Sequence, residues 1–170
     1  EIVLNEEVDL PQKTGRLSIR AAQKNLSFEI NNEKYAIEIL DVKEIIAMMK
    51  FTDVPKMPDF VKGVINLRGL IIPIIDMRLK FGMEEMEYNP RTSIIIGIIE
   101  DDLVGFVVDK TSDVLNIMPK NITEPPKFGT AVDTSFLKSM AKTEQGVVMI
   151  VDIKEIFTND EKETLSFISK

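Results

Sequence analysis

Apolar positions along this chain switch period several times, and the switches outline its elements. Leu26, Phe28 and Ile30 alternate with polar neighbours, Asn31-Asn32 supplies a turn, and Tyr35, Ile37 and Ile39 alternate again, which predicts a β-hairpin. Val42-Lys43-Glu44-Ile45-Ile46 interrupts that alternation, and Pro55 and Pro58 punctuate a loop before the short Asp59-Phe60-Val61-Lys62 segment. Strands are expected over residues 64 to 67 and 70 to 75, joined through Arg68-Gly69, where glycine tolerates the positive φ of a tight turn. Both are apolar on successive residues, as central strands are. Further strands are expected over residues 92 to 99, 103 to 108, 114 to 118 and 147 to 151, with Asp101-Asp102 and Glu144-Gln145-Gly146 as turns. Helices are few. Asp133-Thr134-Ser135-Phe136-Leu137 reads as one or two helical turns, and Thr158-Asn159-Asp160-Glu161 has capping-box spacing ahead of a final helix that turns Leu165 and Ile168 to the core. Residues 1 to 25 show no sustained period and read as an extension, loosely ordered or laid over the core.

A repeat underlies the strands. Residues 71 to 81, Ile71 to Asp76 and on to Phe81, align without gaps on residues 147 to 157, Val147 to Asp152 and on to Phe157: strand, acid, short helix, terminal Phe. Upstream, residues 35 to 46 align loosely on residues 104 to 115, which sets Glu44 against Asp113 and Ile45 against Val114. Two related β-units in one chain account for this, although apolar strands also resemble one another by chance. Asp76 and Asp152 read as helix N-caps, accepting the free amides of a first turn.

Composition removes more functions than it suggests. A chain of 170 residues, 44% hydrophobic and 29% charged, is apolar enough for one ordinary core or two small ones. A net charge of −7 and the lack of any basic run argue against a nucleic-acid or anionic-membrane surface. Without Cys there are no disulfides, thiolate zinc sites or cysteine nucleophiles, which suits a reducing compartment. Without His the usual general base and the commonest metal ligand are missing, so Ser-His-Asp catalysis and imidazole-bound zinc or iron are excluded. The longest apolar runs, 94 to 99 and 70 to 75, are far shorter than the roughly 20 residues of a membrane span. The first residues lack the basic start and apolar stretch of a signal peptide, and a chain opening on Glu reads as trimmed or taken from something longer.

Candidate chemistry is thin. Signatures of phosphate-cradling loops and of calcium loops are missing. The pairs Glu6-Glu7, Glu84-Glu85 and Asp101-Asp102 could in principle hold a divalent metal, but adjacent side chains on an extended chain diverge, so solvated turn charges are the simpler reading. Met residues usually fill gaps in cores; Met48, Met49 and Met57, which precede the Arg68 hairpin, could instead form an adaptable docking surface. Spacing leaves Arg68 open between a solvated turn residue and a recognition element. Glu44 is its candidate partner, since a partly buried ion pair can orient a binding surface.

Residues 54 to 78, and in particular Gly63-Val64-Ile65-Asn66-Leu67-Arg68-Gly69 and Pro73-Ile74-Ile75-Asp76-Met77-Arg78, closely resemble the CheW family of bacterial chemotaxis coupling proteins. The resemblance continues through Tyr88-Asn89, residues 105 to 109, residues 112 to 115 and residues 151 to 157, and so covers about residues 26 to 165. It implies a mainly β fold of two SH3-like five-stranded barrels packed together, with short helices and a C-terminal helix. The chain then divides into an extension, 1 to 25, and a domain of two intertwined barrels, 26 to 170. It further implies a cytoplasmic, non-enzymatic adaptor without cofactor or metal, which couples the regulatory domain of the histidine kinase CheA to the cytoplasmic tips of methyl-accepting chemoreceptors in membrane-associated arrays. By position, receptor contacts would fall on Ile39, Glu44, Ile45, Arg68 and Val114, and kinase contacts on Val42, Gly63 and Gly69. The glycines could equally serve backbone shape alone.

Two relatives share this pattern. The regulatory domain of a CheA kinase carries a similar Arg-Gly hairpin, although Asn66 before Leu67-Arg68-Gly69 and the Asp76-Met77-Arg78 ending match CheW better. The coupling half of a CheV-like protein would be followed by a receiver domain. A metal-dependent enzyme built on the turn carboxylates is the remote alternative.

Overall fold

The computed structural model describes residues 23–125 and 135–168. The opening alternation becomes β1 (Gln23–Ile30) and β2 (Glu33–Glu38), paired antiparallel across Asn31 and Asn32, whose φ of 55 and 65° are the left-handed pair that a two-residue hairpin needs. β1 starts three residues before the alternation does. Gln23, Lys24 and Asn25 pair with β8 (Lys110–Ile117), and where that register slips, the Ser27 hydroxyl donates to the Asp113 carbonyl at 2.9 Å and accepts from the Asp113 amide at 3.1 Å.

The apparent interruption after Asp41 is a 3-10 turn, Ile39–Asp41, followed by a strand, β3 (Val42–Ala47). One of its faces is half-buried and carries Glu44, the other is exposed and carries Ile45, and a bulge opposite Gly97 shifts its register, so the apolar period blurs. β4 (Val61–Leu67) and β5 (Leu70–Asp76) form the expected hairpin, followed by α1 (Met77–Lys80), β6 (Ser93–Ile99) and β7 (Asp102–Val108). The turn between β6 and β7 is Glu100-Asp101, one residue earlier than expected, and Asp102 opens β7. β9 (Ile122–Thr123), β10 (Leu137–Thr143), β11 (Gly146–Val151), a 3-10 turn (Ile153–Glu155) and α2 (Asn159–Ile168) complete the order. The helical turn expected at 133 to 137 is not formed. Its first two residues lie outside the described ones, Ser135 and Phe136 make a turn, and Leu137 opens β10, whose period is broken by a bulge before Ser139.

The strands form two sheets, β8-β1-β2-β11-β10-β9 and β3-β6-β7-β5-β4, which are the two packed SH3-like barrels. The first has six strands rather than five because the two-residue β9 lines its edge; in the second barrel a lone bridge, Thr52↔Val64, stands in the same place. Parallel pairing of β5 with β7 and of β11 with β2 stitches distant segments together. The repeat is real, but its halves do not coincide with the barrels. β1 and β2 belong to the first repeat and join β8 to β11 of the second, while β6 and β7 join β3 to β5, so each barrel holds a hairpin from the other half.

Equivalent residues make equivalent contacts. Asp76 caps α1 by accepting from the amides of Arg78 and Leu79 at 2.9 and 3.3 Å, and Asp152 caps Ile153–Glu155 by accepting from Lys154 at 3.0 Å. The Asp76 amide donates to the Phe60 carbonyl at 2.8 Å and that of Asp152 to Phe136 at 2.9 Å. The terminal aromatics cross over, Phe81 onto Phe136 and Phe157 onto Phe60, with centroids 4.7 and 6.1 Å apart.

Sheet faces explain the unbroken isoleucine runs. Ile72, Ile74, Ile94, Ile96 and Val107 fill the second barrel, while Ile75, Ile95, Val104 and Phe106 face the opposite way and meet Leu26, Phe28, Ile37 and Val151 of the first in a shared core. Thr158 and Glu161 form a full capping box, amide to Oε1 at 2.9 Å and amide to Oγ1 at 3.1 Å, and Leu165 and Ile168 pack on the shared core as their spacing predicts.

Candidate functional site

Arg68 occupies the tip of the β4–β5 hairpin at φ 52°, beside Gly69 at φ 91°. The turn is braced by Asn66, whose Oδ1 accepts from the Gly69 amide at 2.8 Å. A non-glycine side chain in this left-handed region costs on the order of 1 to 2 kcal/mol, so the position holds an arginine against backbone preference. Its Nη2 donates to Oε1 of Glu44 on β3. β3 and β4 are the two outer strands of the second barrel, and among the described residues no ladder joins them. The ion pair therefore ties hairpin tip to edge strand across the open seam of the barrel. The arginine side chain is 67% exposed and that of Glu44 31%, which leaves the guanidinium face open to a partner.

The residues around the pair divide by strand geometry. Ile45 follows Glu44, projects from the opposite side of β3 and is exposed, as are Leu70 and Ile71 beyond the tip. Val114 lies on β8 of the other barrel, also exposed. Ile39 is half-buried against the shared core beside the exposed Leu40. Of the five receptor-contact positions, Glu44 and Arg68 are joined by an ion pair, while Ile39, Ile45 and Val114 are spread over the 3-10 turn, β3 and β8. Val42, Gly63 and Gly69 all belong to the second barrel: Val42 packs on the shared core and Gly69 stands in open space. Gly63 is buried, and a Cβ there would lie 2.3 Å from the Thr52 carbonyl oxygen. Met49 is exposed, whereas Met48 and Met57 are partly buried against apolar clusters.

The repeat reveals a counterpart that the residues had hinted at. Asp113, aligned with Glu44, accepts from Gln145 Nε2 at 3.4 Å, and Gln145 sits in the β10–β11 turn. Exposed Val114, Met118 and Val147 of the first barrel answer Ile45, Met49 and Ile71 of the second. Single apolar residues at the surface mean little, but matched sets on both barrels mark two like-shaped faces.

A second polar group lies where the barrels meet. Asp109 accepts Arg78 Nε and Nη2 at 2.9 and 2.7 Å, and Tyr88 donates its hydroxyl to Asp76 Oδ2 at 2.8 Å. Burial alone would raise the Asp109 pKa, but the guanidinium fork and the Asn31 amide outweigh it and hold the carboxyl below its ordinary value. Burial and the neighbouring Asp76 push the Tyr88 hydroxyl well above its ordinary value, so it stays a donor. No spacing in the chain announces this network, because the Arg78 and Asp109 side chains belong to different elements.

Among the described residues there is no grouping of three or more acids that could hold a metal ion, and no helix is long and apolar enough to cross a membrane. Glu84-Glu85 stay in a loop, with Glu85 paired to Lys62; Asp101 stays in the turn while Asp102 opens β7, and Glu6-Glu7 lie outside the described residues. Two packed barrels of this topology define the two-barrel SH3-like class. The chain belongs to the CheW-like domain family, whose pattern matches residues 24–161. It is 36% identical over 148 residues to the chemotaxis protein CheW of Klebsiella aerogenes, covering 87% of this chain and 89% of that protein. It is 32% identical over 147 residues to the chemotaxis protein CheW of Bacillus subtilis, covering 86% and 94%. The crystal structure of the scaffolding protein TtCheW from Thermoanaerobacter tengcongensis superposes with a TM-score of 0.76 at 34% identity, covering 84% of this chain and 97% of that one. The family is one of chemotaxis scaffold proteins.

Proposed function

We propose that this chain is a non-catalytic coupling protein, which binds the regulatory domain of a CheA kinase through its second barrel and a chemoreceptor tip across both barrels. The observation that carries the reading is the Glu44–Arg68 pair, a braced and exposed guanidinium with exposed Leu70 and Ile71 directly beyond it in the chain and exposed Ile45 on the other side of β3. Such a surface suits a helical receptor tip: apolar side chains take one helix face and the guanidinium fixes its orientation through an acid. The receptor set Ile39, Glu44, Ile45, Arg68 and Val114 then spans both barrels, whereas the kinase set Val42, Gly63 and Gly69 stays on one. For Gly63 the contribution is indirect, since its lack of a side chain lets Thr52 lie against β4. The protein would act in the cytoplasm, recruited to receptor arrays at the membrane.

Titration against a purified kinase regulatory domain and, separately, a receptor-tip fragment tests this. Saturable binding to both is expected. No binding to either at high micromolar concentration would overturn it.

A further inference from the structure

Asp109 is the single residue between β7 of the second barrel and β8 of the first, so the chain crosses from one barrel to the other there. Its backbone amide donates to the Glu29 carbonyl at 3.0 Å and its Oδ2 accepts from the Asn31 amide at 2.7 Å, both in the first barrel. Oδ1 and Oδ2 also accept Arg78 Nε and Nη2 at 2.9 and 2.7 Å, and Arg78 stands on α1 directly after β5 of the second. One carboxylate is therefore held by both barrels at once. The arginine side chain is 11% exposed and that of Asp109 32%, so the fork is shielded but the acid keeps contact with water.

The other crossing, Ile39–Asp41, is built differently. By the repeat, the counterpart of Arg78 is Lys154, whose charge acts on the Asp41 carboxyl without forming a salt bridge among the described residues. The two crossings are thus unequal, one held by a bidentate fork and the other, among the described residues, only by a through-space charge.

We propose that the Arg78–Asp109 fork sets the orientation of the two barrels, and that both residues are positioning residues for docking across both of them. The shared apolar core attracts the barrels but has no direction of its own, since burial rewards area rather than angle. A planar guanidinium meeting a carboxylate through two parallel bonds has one favoured geometry. Val114 lies five residues beyond Asp109 on β8 and Glu44 and Arg68 lie on the other barrel, so the fork determines how the two halves of the receptor set face one another. This rests on the coupling function proposed above.

The chain has no cysteine, so Asp53→Cys with Lys142→Cys provides two unique spin-label positions, one on each barrel. In that background Arg78→Met is expected to broaden or shift the inter-barrel distance distribution. In the cysteine-free protein it should lower receptor-tip affinity at least fivefold and leave affinity for the kinase domain, read by the second barrel alone, within twofold. Arg78→Lys, which keeps the charge but not the fork, should move both readouts the same way, and it carries the test if Arg78→Met does not fold. An unchanged distance distribution, or equal losses toward both partners, would overturn the proposal. If the unmodified protein binds neither partner, the coupling function falls while the distance measurement still decides the clamp.

Discussion

Reversing the charge of Arg68 separates a docking role from a stabilising one. The pair it forms with Glu44 is largely solvated, 67% and 31% exposed, and exposed pairs contribute about 0.2 to 1 kcal/mol to stability. Arg68→Glu removes that and sets two carboxylates side by side, but the hairpin tip stands in water and both can swing apart. The stability loss should therefore stay near 1 kcal/mol. Glutamate also keeps a side chain at φ 52°, so no relief of backbone strain enters, as it would with glycine. If Arg68 docks an acid of a receptor tip as proposed, the change there should be larger, because that acid then meets an acid instead of a guanidinium. Losing one charge-assisted contact at the interface predicts about 1 to 3 kcal/mol, roughly a five- to 150-fold weaker Kd. Calorimetric titration with a receptor-tip fragment, beside urea unfolding of the same variant, measures both. Receptor affinity equal to that of the unmodified protein would refute the assignment and return Arg68 to an ordinary turn residue.

Gly63→Ala should destabilise by about 1 to 3 kcal/mol, because its Cβ falls 2.3 Å from the Thr52 carbonyl oxygen at φ 150° and the strand bridge must move; urea midpoints check it. Tyr88→Phe removes the 2.8 Å bond to Asp76 and should cost about 1 to 2 kcal/mol in the same assay, with the fold retained by circular dichroism. Burial pushes the Asp109 and Glu29 pKa values up, but the Arg78 fork and the Asn31 amide at Asp109, and Lys34 with Lys110 at Glu29, outweigh it and hold both below the ordinary carboxylate range. Folded values below unfolded ones mean stability that is present above about pH 4 and lost as pH falls further, so Asp109→Asn should flatten the acid limb of a urea series. An acid limb as steep as that of the unmodified protein would contradict the assignment.

Local chemistry was legible and long-range pairing was not. Asp76 and Asp152 announced their caps and Thr158 with Glu161 its box, because each is settled within a few residues. The hairpins at Asn31-Asn32 and Arg68-Gly69 were legible for the same reason. β3 and β10 were not: both carry bulges, and β10 buries only Leu137 and Ala141 fully, too sparse a signal for period-two reading. The repeat was visible in residues 71 to 81 and 147 to 157, yet the exchange of hairpins between halves depends on the parallel ladders β5–β7 and β11–β2, which no local pattern encodes. The Glu44–Arg68 pair was legible as a guess from type and position. The Arg78–Asp109 fork was not, since it spans 31 residues and joins elements whose relative placement had to be known first.

Duplication explains why two barrels have the same shape, and divergence at a few positions explains how they could be told apart. Ile45 and Val114 are alike, and so are Met49 and Met118, so these apolar positions offer a partner little means of choosing, although exposed Leu70 has only Gly146 opposite it in the repeat. Where the faces differ is at the tip: an arginine bound to Glu44 on one, a glutamine near Asp113 on the other. If the docking proposed above holds, an acidic partner residue gains a guanidinium at the first tip and meets an amide beside the Asp113 carboxylate at the second, so placement on the wrong barrel adds repulsion as well as losing attraction. Specificity is a difference of affinities, and a like-charge contact enlarges it with no need for tighter binding at the right site. The exchanged hairpins make that choice involve the whole molecule, because each barrel contains strands from both halves of the chain.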